Sequence, residues 1–86
     1  MTGASNPRYT LVYDYKYIID LWYSYGAGVM WLDMYGISIG YNWESDTVTI
    51  KIFGYDFTIT DFDLISEILD VLQHIIQASK VVENDC

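Results

Sequence analysis

The sequence predicts an α+β fold in which a small antiparallel β-sheet of three to four strands packs against a C-terminal amphipathic α-helix. Three observations carry this. Residues 37–43 and 48–52 each alternate apolar with polar positions across a polar turn. Residues 62–76 carry apolar side chains at helical spacing. And 86 residues provide for one core, not two.

Along the chain, residues 1–7 are small and polar and read as a flexible lead-in. From Tyr9 the pattern alternates, with Tyr9, Leu11 and Tyr13 on one side and Thr10 and Val12 on the other, which suits a short strand. Residues 14–25 admit two readings. As a helix they have Asp14 as N-cap, Gly26 at the stop, and Ile18, Leu21, Trp22 and Tyr25 on one face. Their Tyr, Ile and Trp content and partial alternation also suit a strand, but the caps and the face together favour a short N-terminal helix.

Gly26-Ala27-Gly28 breaks the chain, residues 29–35 suit a strand, and Gly36 punctuates. Ile37, Ile39, Tyr41 and Trp43 then alternate with polar residues and glycine. After the turn Glu44-Ser45-Asp46 the pattern resumes with Val48, Ile50 and Ile52, so two apolar rows share one face of a hairpin. Gly54-Tyr55-Asp56 is a second turn leading to Phe57 and Ile59. The helix that follows has Thr60 or Asp61 as cap, Asp63 in its first turn and Lys80 near its end, each sign favourable to the helix dipole. Its apolar stripe is expected to lie across the hairpin. Val81 and Val82 extend or fray it, the single domain covers 8–82, and residues 83–86 read as a loose C-terminus.

At 52% hydrophobic and 19% charged, the chain belongs among globular proteins. Nine Tyr, three Trp and three Phe are more rings than a core of this size absorbs, so some are expected at the surface. Four basic residues face twelve acidic ones, a formal net charge of −8. That field repels phosphate backbones and anionic membranes, which argues against direct nucleic-acid binding and against membrane association. It suits a basic protein surface, such as that of a nucleic-acid-binding protein. It also keeps an aromatic-rich chain in solution. No secretory signal or apolar run of about 20 residues is visible, so a cytoplasmic protein is expected. Cys86 stands alone and closes no internal disulfide.

Asp63, Glu67, Asp70 and His74 fall at steps of four, three and four on the solvent side of the C-terminal helix. One His without a usable Cys is a poor metal set, so the stripe reads as a solvated acidic rail, and neither a metal nor a cofactor is expected. Catalysis is disfavoured: no Ser has a nucleophile-elbow signature, Gly26 and Gly28 lack the rest of a phosphate loop, and twelve acids make any carboxylate pair uninformative. The tyrosine series Tyr9, Tyr13, Tyr15, Tyr17, Tyr23 and Tyr25, with Trp22, serves the core and also suits interface contacts.

Together these features point to a small acidic protein-binding module. The expected contact residues are Asp63, Glu67 and Asp70 on the helix, Glu44 and Asp46 at the hairpin turn, and Tyr15 and Tyr17. In size and charge alone the chain is comparable with phage-encoded inhibitors of host defence, such as anti-CRISPR proteins, and with immunity proteins. The alternative is a self-associating subunit, a homodimer formed through a tyrosine-rich strand edge.

Overall fold

The computed structural model describes residues 7–85. The chain forms β1 (Arg8–Tyr13), β2 (Tyr17–Ser24), β3 (Val29–Met34), β4 (Ile37–Asn42), β5 (Thr47–Ile52), β6 (Tyr55–Ile59), α1 (Phe62–Ala78) and β7 (Lys80–Asp85). The strands make one antiparallel sheet in the order β6-β5-β4-β3-β2-β1-β7, and α1 lies on one of its faces. The α+β class is as expected, but the sheet has seven strands, not three to four. Six of them form a meander. The helix then crosses the sheet and returns the chain to the far side of β1 as β7.

The expected N-terminal helix is absent, because residues 17–24 form β2. Its inward residues are Ile19 and Leu21, 1% and 3% exposed, which oppose Leu11 of β1 and Leu32 of β3. A helix here would satisfy its own backbone yet leave those two leucines without their cross-strand partners. Burial of four aliphatic side chains, at about 1.5–3 kcal/mol each, outweighs the weak local preference. Asp14 is therefore a turn residue and not an N-cap. It and Tyr15 take φ of 55° and 63°, and Lys16 N–H donates to the Tyr13 carbonyl at 3.3 Å.

The 37–52 hairpin forms as read, with Ile39 opposite Ile50 and Tyr41 opposite Val48. The core, however, is centred on the N-terminal strands: Leu11, Ile19, Leu21 and Leu32 close around Leu72 of the helix. The helix begins beside β6, at the sheet end where Ile59 lies, and finishes at the opposite end, where Lys80 pairs with Val12. It therefore runs corner to corner.

Asp61 is its N-cap, its carboxylate accepting from the N–H groups of Asp63 and Leu64 at 2.9 and 3.2 Å. Lys80 lies outside the last helical turn, as the first residue of β7. The helix stops because five of the residues from Lys80 to Asp85 pair with β1, across a register shift that leaves Val82 out of the ladder. The backbone of 83–85 belongs to β7, which also includes residue 82. Residues 1–6 of the expected lead-in 1–7, and Cys86, lie outside the described residues.

Candidate functional site

A meander sorts its turns by parity. The β2–β3 and β4–β5 turns share one end of the sheet with the start of α1. The β1–β2, β3–β4 and β5–β6 turns share the other end with the helix C-terminus. This decides which of the expected contact residues meet.

Glu44 and Asp46 stand in the β4–β5 turn, at the same end as Asp61 and Asp63. The turn is built from its own side chains. Asn42 Oδ1 accepts from the N–H groups of Glu44 and Ser45 at 2.9 and 3.0 Å, closing an Asx turn. The Tyr41 hydroxyl donates to Asp46 Oδ1 at 2.9 Å, and this bond raises the Tyr41 phenol pKa above its usual value. Asp46 itself takes φ of 56°. The Glu44 side chain lies against Gly28, where an added β-carbon would come within 2.6 Å of Glu44 Cγ.

Asp63, Glu67, Asp70 and His74 are all exposed on α1, as its periodicity requires once Ile65 and Leu72 point inward. The 17 residues of the helix include no Lys or Arg. Among the described residues no group of three or more His, Cys, Asp or Glu side chains is placed to hold a metal ion.

Tyr15 and Tyr17 lie at the other end. Tyr15 is 97% exposed, and it lines a shallow cleft with Ala78, Ser79 and Lys80 at the end of the helix. Lys16 Nζ sits 5.2 Å from the Tyr17 ring centroid. Of the seven expected residues, Glu44 and Asp46 stand at one end and Tyr15 and Tyr17 at the other, and Asp63, Glu67 and Asp70 lie on the helix that runs between the two ends.

Two features escaped the sequence reading. Tyr35 and Phe53 stand with Tyr15 at one sheet end, each exposed and each with positive φ, at 48°, 48° and 63°. Bulky side chains rarely adopt this conformation, and backbone strain of this kind concentrates at functional surfaces. The aromatic-glycine pairs Tyr35-Gly36 and Phe53-Gly54, set between alternating segments, are the signal that would have found them.

The second feature is the sheet face opposite the helix. There Trp22 and Trp31 stack at 6.2 Å and 21°, Lys51 Nζ lies 5.4 Å from the Trp31 ring, and Trp22 Nε1 donates to Asp33 Oδ2 at 3.4 Å. Reading 14–25 as a helix put Trp22 on the buried side and concealed this arrangement.

Comparison with protein-family models, curated proteins and solved structures found no match. No helix among the described residues is long and apolar enough to cross a membrane.

Proposed function

We propose that this protein is a binding module whose acidic helix face docks on a basic, nucleic-acid-binding surface of a partner protein and takes the place of phosphates there. One observation carries the reading: the exposed face of α1 presents Asp63, Glu67 and Asp70 on successive turns, with no Lys or Arg in the helix, and begins at the sheet end where Glu44 and Asp46 stand. At 1.5 Å rise per residue these helix carboxylates are spaced by about 6 and 4.5 Å along the axis, an extended line of negative charge on a rigid element. Two of the four basic residues, Lys16 and Lys51, lie over aromatic rings.

The reading makes the protein a stoichiometric inhibitor of the anti-defence or immunity kind, acting in the cytoplasm and without chemistry of its own. Tyr15 and Tyr17, beyond the far end of the helix, supply aromatic contacts flanking the charge.

The test is capture of the partner from the native host, followed by competition. The captured protein is expected to bind DNA or RNA, and this chain is expected to displace it, with affinity that falls as salt rises. The triple variant Asp63→Asn, Glu67→Gln, Asp70→Asn keeps the shape of the face and removes its charge. It is expected to weaken binding about tenfold or more, because exposed charge pairs contribute up to about 1 kcal/mol each. A partner that does not bind nucleic acid, or binding indifferent to salt and to this variant, overturns the proposal.

A further inference from the structure

The corner-to-corner path of α1 leaves part of its own sheet face uncovered. An apolar groove lies beside the helix, lined by Met34, Ile39, Ile50, Leu64, Ile68 and Val71, with Glu67 the one charged residue on its wall. Its wall residue Ile50 pairs with Phe57 of β6, where Tyr55 and Phe57 point to the same side and are 71% and 54% exposed. Phe62, at the start of the helix, is 68% exposed.

β6 is also an edge strand of the sheet among the described residues. Its sequence, Tyr-Asp-Phe-Thr-Ile, has no Pro and no Lys to block pairing. The opposite edge, β7, opens with the exposed Lys80 and meets β1 through a register shift at Thr10/Leu11. The tyrosine-rich strands β1 and β2 are interior, so neither offers an edge.

We propose that two copies of this chain pair through β6, antiparallel about a two-fold axis at Phe57, to make one continuous sheet with both helices on the same face. The charges select this register. Centred on Phe57, all five residues of β6 pair, and Asp56 faces Thr58 of the other copy. Centred on Asp56, the two Asp56 carboxylates would face each other, which is unfavourable.

The same axis inverts the second copy. Its helix start, with Phe62 and Leu64, arrives at the sheet end where the first copy's helix has moved away and its groove lies open. Rings of this kind bury about 200 Å² each, so Tyr55, Phe57 and Phe62 cover on the order of 400 Å² per copy. With Leu64, Val71 and the strand backbone the total reaches about 1,000 Å², the lower bound of a specific interface. Asp63 and Asp70 do not line the groove and stay uncovered, while Glu67 stands on its wall, so the dimer seam and the acidic docking face meet at Glu67.

The experiment uses the full chain. Sedimentation velocity is expected to give twice the 10.0 kDa monomer mass at high concentration and the monomer mass on dilution. Phe57→Lys, at an exposed position, is expected to abolish the dimer. In a Cys86→Ser background, Phe57→Cys places two thiols directly across the axis, where paired Cα atoms are about 4.5–5.5 Å apart and within disulfide reach. It is expected to give an oxidised dimer of unchanged secondary structure, whereas Thr58→Cys, whose neighbour is Asp56, is not. A monomer at every concentration overturns the proposal. So does a dimer that survives Phe57→Lys, or one cross-linked through Thr58→Cys in preference to Phe57→Cys.

Discussion

The indole of Trp31 packs onto the backbone of Gly40, its partner across the β3–β4 ladder, so closely that a β-carbon on Gly40 would come 2.7 Å from the ring. The contact holds Trp31 between Trp22 and the Lys51 ammonium. Gly40 is not among the residues with positive φ, so an alanine there is free of backbone strain and tests the ring contact alone. Gly40→Ala is expected to destabilise the protein by about 1–3 kcal/mol, the usual cost of forcing atoms into a packed site. Urea unfolding measures the loss, and a weakened near-ultraviolet circular dichroism signal from the Trp22–Trp31 stack locates it.

The helix N-cap gives a second prediction. Asp61 satisfies two N–H groups that otherwise have no partner within the helix. Asp61→Ala is expected to cost about 1 kcal/mol, and Asp61→Asn far less, because the amide oxygen still accepts. Equal losses in the two variants would assign the effect to the charge at the helix terminus and not to the cap.

Tyr15 separates stability from contact. Its positive φ costs a non-glycine residue about 1–2 kcal/mol, while glycine loses roughly 0.5–1 kcal/mol more chain entropy on folding. With the ring 97% exposed there is little packing to lose. Tyr15→Gly is expected to leave stability unchanged or raise it by about 0.5 kcal/mol, while weakening partner binding. A clear fall in thermal midpoint would show that the ring packs on the cleft beside Ala78.

The tyrosines also predict a pH dependence. Burial raises the phenol of Tyr23 above its ordinary value, with Tyr25 and Tyr9 nearby adding to the effect, and the bond to Asp46 raises that of Tyr41. A phenol with a raised folded-state pKa keeps its proton longer in the native protein than in the unfolded chain. Its contribution is therefore complete below the unfolded value of about 10 and is lost as pH rises through the folded one. Stability in urea is expected to fall above about pH 10, and Tyr23→Phe is expected to reduce that fall. An identical profile in the variant would place the loss elsewhere.

The hairpin at 37–52, the helix after Asp61 and the surplus of surface rings were legible because each depends on neighbours in sequence. Ile37, Ile39 and Tyr41 alternate whatever else the chain does, and Ile65, Ile68, Leu69 and Leu72 share one helix face by spacing alone. The candidate site was legible only in part. Asp63, Glu67 and Asp70 were found because periodicity places them outward. Tyr35, Phe53 and the Trp22–Trp31 pair were not, since their meaning depends on what stands beside them in space. Residues 14–25 were misread for the same reason: Ile19 and Leu21 choose the strand because Leu11 and Leu32 flank them, and those partners lie in other strands.

By itself, then, the sequence determined the α+β class, the helix with its outward acids, the central hairpin and the net negative charge, all properties of local period or of sums over the chain. The tertiary structure alone decided that, among the described residues, β1 and β2 are interior and β6 is an edge strand. It alone brought Glu44 and Asp46 to the end where the acidic helix begins, and sent Tyr15 and Tyr17 to the other. The physical reason is that strand order and turn parity arise from hydrogen bonds and side-chain burial between segments distant in sequence. No single segment holds the energy that chooses among the arrangements.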